Sequence, residues 1–330
     1  PFPLTEIQKG YLLGRSTALP LGGLPCQFYY ELDCVDLDPV AYHAAWLQLI
    51  DRHEMLRCVI LNHEEQKILP SVPDLAYTVH DLVACSDYES SLDDIRQRIA
   101  TGIRPHEQWP LFGLEFTRLP DSSWRIHFGL DLLIMDQQSF LTLLDEAAVL
   151  YHSPQENLPS LEFSFRDYVL QESKEVIDPR DVAYWKNKIA HLPLAPALPL
   201  NLAPEDVGVP TFDRLIKTVN SDTWQCVKDI CIEAGITPSA LLLTLFGEVL
   251  SQWSENDHFC LNMTMFNRKP FHRDVDRLVG DFTNTMIFEM DMRPAETKLV
   301  RAQRLQQQLW HDIEHQDYSG MSVMSDMASE

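Results

Sequence analysis

Short apolar runs and longer segments of helical spacing alternate along the first 151 residues of the chain. The longer segments place apolar side chains three and four positions apart, which is typical of amphipathic helices that cover one side of a core. The predicted helices are 6–13, 39–53, 88–103 and 137–151. The short runs predict strands at 28–32, 56–61, 66–70, 111–119 and 124–133. We therefore expect a mixed fold of the α/β class (α+β type).

The second half repeats this mixture after a proline-rich crossing. Residues 192–200 read LPLAPALPL, and a run with this many prolines cannot form a regular helix. The predicted helices here are 162–176, 179–190, 222–234, 240–253 and 296–315, and the predicted strands are 212–219, 258–266 and 284–291. The pattern predicts a first lobe over 1–160, a helical and proline-rich connection over 161–200, and a second lobe over 201–330.

Composition narrows the class of protein. A length of 330 residues with 45% hydrophobic residues favours two cores over one. The net charge of −23 repels phosphate backbones, so we do not expect nucleic-acid binding. Seven cysteines without a Cys-x-x-Cys pair predict reduced thiols and a cytoplasmic location. No apolar run is long enough to span a membrane and no segment resembles a signal peptide, so no membrane association is predicted. The start at Pro1 without Met predicts excision from a longer chain.

The segment 127–139 carries the most informative polar residues. Two carboxylates, Asp131 and Asp136, flank four apolar residues, and an unpaired carboxylate is costly to bury. In a structural interpretation, Asp136 caps the helix that starts near Gln137 and Asp131 accepts hydrogen bonds at the strand end. In a chemical interpretation, one of them is a general base in a closed cleft. A metal site on His127 and Asp131 lacks a convincing third ligand, so no metal is predicted.

A second polar group lies where the helix 39–53 gives way to a buried strand. Arg57 has apolar neighbours in the sequence and needs an anionic partner if it lies inside the fold. We expect that partner to be Asp136. A bidentate pair of this kind would fix the strand–helix corner and would have a structural role.

A third polar group occupies the loop segments between the last two predicted strands. Asn267 opens the first of these segments. In the second, Gly280 allows close approach of the backbone, and Asp281 and Thr283 present polar groups. The alternative interpretation is an Asx or Thr turn that starts the following strand.

Together these segments resemble the heterocyclization domain of nonribosomal peptide synthetases, a branch of the condensation-domain family. Six motifs match in order over nearly the whole chain. The matching segments are Phe2-Pro-Leu-Thr-Glu-Ile-Gln8 with Tyr11 and Gly14-Arg15, Arg52-His-Glu-Met-Leu-Arg57, Trp109-Pro-Leu-Phe112, Asp131-x4-Asp136-x2-Ser139, Leu192-Pro-x2-Pro-x-Leu-Pro-Leu200 and Gly280-Asp-Phe-Thr283.

One replacement in the fourth motif points to the heterocyclization branch. Ordinary condensation domains carry two adjacent histidines there, and this chain has Asp131 and Leu132 at the two positions. The imidazole of the related acyltransferases is thus absent, as the resemblance to this branch implies. The resemblance further implies two chloramphenicol-acetyltransferase-like lobes in a V-shaped pseudo-dimer, with the second lobe incomplete within this chain.

The resemblance also implies roles for individual residues. Asp131, Asp136 and Ser139 are the motif residues of the catalytic region. Asp131 would lie nearest the chemistry and orient the loop, while Asp136 would pair with an arginine. The loop residues described above, Asn267, Asp281 and Thr283, become candidates for the lining of a substrate tunnel.

A heterocyclization domain acts on substrates tethered to other proteins. The resemblance implies that an upstream peptidyl or aryl carrier protein brings an acyl thioester and a downstream carrier brings Cys, Ser or Thr, each on a phosphopantetheine arm. Amide formation is followed by cyclodehydration to a thiazoline or oxazoline. The acyl donor is left open by the sequence, with siderophore-type aryl donors as one possibility that the family suggests. The domain binds no cofactor of its own, and an adenylation domain is the expected neighbour.

An alternative is a catalytically incomplete, condensation-like scaffold that only docks carrier proteins. Members of the family continue beyond the position of Glu330, and the resemblance places there a Thr and an Asp that assist cyclodehydration. The scaffold interpretation is favoured if the chain ends at this residue.

Overall fold

The computed structural model of the protein describes residues 1–208, 210–212 and 215–329. Helices and strands are intermixed along this part of the chain, which confirms the predicted mixed fold of α+β type. The described residues separate into two compact units.

The first unit contains Pro1–Glu175 and Asn267–Thr283, and the second contains the remaining described residues. This division differs from the predicted lobes, because the first unit extends beyond residue 160 and includes a segment from the predicted second lobe. The predicted connection over 161–200 is divided between the two units. The physical reason is the burial of apolar side chains from both segments in the core of the first unit. These side chains are Phe165, Tyr168, Val169, Leu278, Val279 and Phe282.

The first unit is built on two sheets. Its strands are β1 (Phe2–Pro3), β2 (Gln27–Cys34), β3 (Cys58–Ile60), β4 (Glu65–Ile68), β5 (Tyr77–Asp81), β6 (Phe112–Arg118) and β7 (Trp124–Asp131). Its helices are α1 (Glu6–Gly14), α2 (Pro39–Arg52), α3 (Tyr88–Thr101), α4 (Gln137–His152) and α5 (Phe165–Glu172). The sheets have the orders β2-β7-β6-β5 and β1-β4-β3. The sequence does not predict β5, which pairs in parallel with β6 through a connection that contains α3.

Helices cover both faces of the larger sheet. Alternate residues of a strand point to opposite faces. On one face, Trp46 of α2 packs against Phe128, which also contacts Phe140 of α4 edge to face. On the other face α3 lies so close that a Cβ on Gly129 would be 2.7 Å from Cγ2 of Ile99. The end of β7 is therefore held between two packed layers.

Capping residues mark the starts of three helices of the first unit, and the predicted Asp136 cap is confirmed. Thr5 caps α1 in a capping box with Gln8, and Pro39 is the first residue of α2. Asp136 caps α4 through the backbone N–H of Ser139. These local contacts fix where α1 and α4 begin, next to the corner that carries the predicted site.

The second unit has a two-stranded sheet of β8 (His258–Phe266) and β9, the strand Thr283–Asp291 that begins at the last residue of the first unit. Its helices are α6 (Pro179–Ile189), α7 (Ser221–Ala234), α8 (Pro238–Trp253), α9 (Lys298–Ile313) and α10 (Gly320–Met327). Its core contains Trp185, Phe259, Phe288, Leu305 and Val323. The predicted strand at 212–219 includes residues 213 and 214, which lie outside the described residues, and its described part is not a strand.

No single helix within the described ranges has the length and hydrophobicity to cross a bilayer. The helices α7 and α8 reach the required length and composition only as a pair, and the chain bends by 100° between them.

Candidate functional site

The chain turns from β7 into α4 through a corner that buries both predicted carboxylates. β7 ends at Asp131, and α4 begins at Gln137 with Asp136 as its N-cap. The exposed fraction is 0% for Asp131 and 1% for Asp136. Ionised carboxylates in such positions require cationic or hydrogen-bonding partners.

Asp131 forms an ion pair with Arg15, which follows the last residue of α1. The Oδ1 atom of Asp131 accepts a hydrogen bond from the backbone N–H of Leu133 at 3.1 Å. Arg15 also donates from Nη1 to the carbonyl oxygen of Arg104 at 3.1 Å. Burial raises the pKa of Asp131, and the positive charge of Arg15 opposes this shift. Asp131 therefore ties the end of α1 to the corner.

Asp136 forms its ion pair with Arg268. The Nη2 atom of Arg268 lies 3.1 and 3.3 Å from the two carboxylate oxygens. Oδ1 also accepts from the N–H of Ser139 at 2.7 Å, and Oδ2 accepts from the N–H of Phe282 at 3.3 Å. One buried carboxylate thus joins the start of α4 to the segment 267–283.

The predicted pair of Arg57 with Asp136 is wrong. The guanidinium of Arg57 donates to the carbonyl oxygens of Ile50, of Asp51 at 2.8 Å and of Leu69 at 3.2 Å. The first two carbonyls belong to the end of α2, where helix carbonyls lack intrahelical partners. Arg57 follows α2 closely in the sequence, so it satisfies the end of that helix instead of reaching the start of α4.

Ser139 is also engaged in contacts within the fold. Its Oγ donates to the carbonyl oxygen of Gly280 at 2.8 Å and accepts from the N–H of Gly280 at 3.1 Å. The same hydroxyl lies 2.9 Å from Nη2 of Arg268. Ser139 therefore fastens α4 to the Gly280 backbone, and its hydroxyl is not free to act as a nucleophile in this arrangement.

Arg268 is the residue that sequence reasoning missed. Its Nη1 donates to the carbonyl oxygens of Val275 at 2.9 Å and Leu278 at 3.0 Å. Its guanidinium carbon lies 4.0 Å from the centre of the Phe282 ring, a cation–π contact. In the sequence, Arg268 is marked only by its position next to Asn267, in the loop between the last two predicted strands. No spacing rule connects Arg268 with Asp136.

Asp281 lies beside the corner with one carboxylate oxygen unpartnered. Its Oδ1 accepts from the N–H of Thr283 at 3.1 Å, while its Oδ2 is buried and has no hydrogen-bond partner within the described residues. Burial raises the pKa of Asp281 from 3.8 to about 7. Tyr11 of α1 lies near this carboxyl group, and burial together with the negative charge of Asp281 raises the pKa of its hydroxyl. Asp281 is therefore a carboxyl group that can exchange a proton near neutral pH.

Asn267 lies in the same segment as Asp281 and Thr283. Its N–H donates to the carbonyl oxygen of Phe282 at 3.3 Å, and its own carbonyl oxygen accepts from the hydroxyl of Tyr168 at 3.3 Å. The structure thus places the three predicted loop residues in one segment of the first unit. Their role in lining a substrate tunnel stays a prediction.

His127 does not share a partner with Asp131. Its Nδ1 contacts the hydroxyl of Tyr29, and its Nε2 lies 2.8 Å from Oγ1 of Thr117. Burial lowers the pKa of His127 to about 4, so the ring is neutral at ordinary pH. In the part of the chain that the structure describes, no group of three or more His, Cys, Asp or Glu side chains is arranged to hold a metal ion.

Comparison with known proteins identifies the family. The family model described as "Condensation domain" matches residues 2–329. The chain belongs to the condensation-domain family.

Individual relatives indicate the branch of the condensation-domain family. Pyochelin synthetase PchF of Pseudomonas aeruginosa is 33% identical over 333 residues, which cover 99% of this chain and 18% of that protein. Phenyloxazoline synthase MbtB of a Mycobacterium species is 34% identical over 333 residues, which cover 99% of this chain and 28% of that protein. The chain therefore spans less than a third of the length of these curated relatives.

A solved structure supports the same branch. The cyclization-docking bidomain of the nonribosomal peptide synthetase EpoB from Sorangium cellulosum superposes with a TM-score of 0.88 and 33% identity. The match covers 99% of this chain and 66% of that one. The predicted resemblance to the heterocyclization branch and the predicted condensation-domain fold are both confirmed. The V-shaped arrangement of the lobes stays a prediction.

The ion pair of Asp136 and Arg268 predicts a large loss of stability when the cation is removed. We expect Arg268→Ala to lower the free energy of unfolding by about 3–5 kcal/mol, because the Asp136 carboxylate stays buried without its charge partner. Urea unfolding followed by circular dichroism measures the change. Arg273→Ala is the control: Arg273 is 73% exposed and its partner Glu162 is 57% exposed, so we expect a change below about 1 kcal/mol. Equal losses in the two variants would contradict the prediction.

The close packing of Gly280 predicts that even one methyl group is not tolerated there. A Cβ at this position would lie 2.1 Å from a ring carbon of the buried Phe165. We expect Gly280→Ala to lower the free energy of unfolding by about 1–3 kcal/mol. Gly14→Ala is the control, because a Cβ there meets no atom within 4 Å. A neutral effect of Gly280→Ala in thermal unfolding would show that the segment 267–283 is not held against α5.

The raised pKa of Asp281 predicts a pH-dependent stability. Between its ordinary pKa of 3.8 and its folded pKa of about 7, the folded state binds the proton more tightly than the unfolded state. The free energy of unfolding should therefore fall as pH rises through this window, by at most about 1.4 kcal/mol per pH unit from this group. Asp281→Asn should remove this component. Urea unfolding of both proteins at several pH values measures it, and parallel curves would refute the shift.

Proposed function

We propose that the chain is a nonribosomal peptide synthetase heterocyclization domain. It would join an acyl or peptidyl thioester on an upstream carrier protein to Cys, Ser or Thr on a downstream carrier, and then close a thiazoline or oxazoline ring with loss of water. The main support for this proposal is the structural match to the EpoB cyclization-docking bidomain, which covers 99% of the chain at a TM-score of 0.88. The names of two relatives agree with it, since one is a phenyloxazoline synthase and the other a pyochelin synthetase.

The chemistry of the corner supports this proposal over simple acyl transfer. Position 132 is Leu, so no imidazole occupies the place of the second histidine of an ordinary condensation motif. Attack of an amine on a thioester needs little acid–base assistance, because holding the two substrates in line supplies much of the acceleration. Loss of water from the closed ring is the harder step, since a hydroxyl must be protonated and a nitrogen deprotonated. The domain therefore requires a proton donor and acceptor more than a nucleophile.

The proposal includes partners and a location. The substrates would arrive on the phosphopantetheine arms of upstream and downstream peptidyl or aryl carrier proteins, with an adenylation domain nearby and no cofactor held by the domain itself. The small share of each curated relative that this chain covers supports such a setting among other domains. A cytoplasmic location is part of the proposal, and it is supported by the seven cysteines, all of which are unpaired.

One observation favours a second candidate function. Asp131, Asp136 and Ser139 are all engaged in contacts that hold the fold together. A scaffold that docks carrier proteins without catalysis would retain these contacts for stability alone. The two candidates differ in whether any covalent product forms.

Reconstitution with loaded carriers tests the proposal. The protein is mixed with an acyl-loaded upstream carrier and a cysteine-loaded downstream carrier, and the downstream carrier is analysed by intact mass. We expect a product that is one water molecule lighter than the linear amide. An unchanged linear amide would limit the activity to condensation, and the absence of transfer would favour the scaffold. A serine-loaded carrier in parallel distinguishes thiazoline from oxazoline formation.

A further inference from the structure

A cavity of about 320 Å³ lies within the first unit and is lined by residues other than Asp131, Asp136 and Ser139. Three segments line it: 52–55 at the end of α2, 161–167 leading into α5, and 278–279. Ligand pockets of proteins span about 300–1,000 Å³. The cavity therefore has the size that one small molecule requires.

The inner part of the cavity is apolar. Met55, Phe165, Leu278 and Val279 line it, and their exposed fractions are only 1–4%. Burying an apolar group against such side chains is favourable, because apolar surface is removed from water. The inner part can therefore receive an apolar portion of a ligand.

The basic groups at the end of α2 are already neutralised. Glu146 of α4 binds Arg52 through two hydrogen bonds, from Nε at 2.9 Å and from Nη2 at 3.2 Å. The Nε2 atom of His53 lies 2.7 Å from the same carboxylate. Arg52 and His53 line the cavity, but their charge is balanced from α4.

Two acidic residues of the lining also have partners. Glu162 forms an ion pair with Arg273 at 2.7 Å. Asp167 accepts from the N–H of Ser164 at 3.2 Å and from its hydroxyl at 2.7 Å, as part of the capping box of α5. Neither carboxylate needs a ligand for neutralisation.

Glu54 and Arg166 are the charged residues of the lining that lack partners. Neither forms an ion pair or a side-chain hydrogen bond with any residue that the structure describes, and both are exposed. They belong to different segments, Glu54 to 52–55 and Arg166 to 161–167. The rim of the cavity thus offers one carboxylate and one guanidinium above an apolar interior.

We propose that this cavity binds a free α-amino acid with an apolar side chain, for which L-leucine is the probe. The ligand carboxylate pairs with Arg166, whose guanidinium can donate two hydrogen bonds to it. The ammonium group pairs with Glu54, and the side chain packs against the apolar interior. A zwitterion satisfies both rim charges at once, whereas a simple acid or amine leaves one of them unpaired.

This inference does not depend on the proposed function. The amino acid of the proposed reaction is a thioester on a carrier protein, so it has no free carboxylate for Arg166. A free amino acid is therefore a separate ligand. Failure of the carrier reaction would overturn the proposed function and leave the binding measurements below unaffected.

Isothermal titration calorimetry of the whole chain with L-leucine tests the site. We expect saturable binding with a Kd on the order of 0.1–1 mM, as suits a ligand of this size. L-Leucinamide lacks the carboxylate and N-acetyl-L-leucine lacks the ammonium group, and each should bind about fivefold more weakly or worse. The absence of saturable binding of L-leucine, or equal affinities for these three compounds, would overturn the proposal.

Variants of the two rim residues assign each end of the ligand. Arg166→Gln should weaken L-leucine binding by about fivefold and leave L-leucinamide binding unchanged. Glu54→Gln should weaken L-leucine binding and leave N-acetyl-L-leucine binding unchanged. The matched controls are Arg118→Gln and Glu156→Gln, because both residues are exposed and lie outside the lining. Equal effects of the rim variants and the controls would overturn the proposal.

A doubly blocked compound distinguishes a free amino acid from a segment of protein. N-Acetyl-L-leucinamide carries neither charge and imitates a leucine within a peptide chain. If it binds as tightly as L-leucine, the cavity receives a peptide and the proposal is overturned.

Thermal unfolding gives a second measurement of the same site. A ligand that binds only the folded state stabilises it, so L-leucine should raise the unfolding midpoint of the wild type. The rise should be smaller in Arg166→Gln. Rises of the same size in both proteins would show that L-leucine acts elsewhere and would overturn the proposal.

Discussion

The buried ion pair of Asp136 and Arg268 is the contact on which the first unit depends. Taking both charges out of water costs several kcal/mol for each, and only further hydrogen bonds make the arrangement favourable. Such hydrogen bonds are present at this pair. Asp136 also accepts from two backbone N–H groups, and Arg268 also donates to two carbonyl oxygens and a hydroxyl group. The pair joins residues 132 positions apart in the sequence. The segment 267–283 therefore belongs to a unit whose other residues all precede position 176.

This pair also determines which buried carboxyl group of the region has a cationic partner. Arg268 is directed at Asp136, so the guanidinium stabilises the charge of that residue and leaves Asp281 with burial as its main influence. At Asp131 two influences on the pKa oppose each other: burial raises it, and the positive charge of Arg15 lowers it. Asp131 and Asp136 thus each have an arginine partner, while Asp281 has none among the described residues. The chemical capacity of the site follows from structural contacts made by its neighbours.

Local features of the site could be predicted from the sequence, because short-range physical rules fix them. The strand that ends at Asp131 and the helix capped by Asp136 follow from an apolar run and a capping residue. The choice between Arg57 and Arg268 as partner of Asp136 could not be predicted, since both are cations near apolar residues and only long-range packing separates them. The strand β5 was missed for a similar reason: it is largely exposed and is defined by its parallel pairing with β6.

The replacement of a motif histidine by Asp131 depends on a second residue, Arg15. A carboxylate at position 131 cannot replace an imidazole in a buried site unless a cation accompanies it, and Arg15 supplies that charge from the other side of the corner. With Leu132 beside it, neither of the two positions carries the imidazole of an ordinary condensation motif. The two motif positions therefore contribute a buried ion pair and an apolar side chain to the corner. The start of α4 is held there by the second pair, between Asp136 and Arg268.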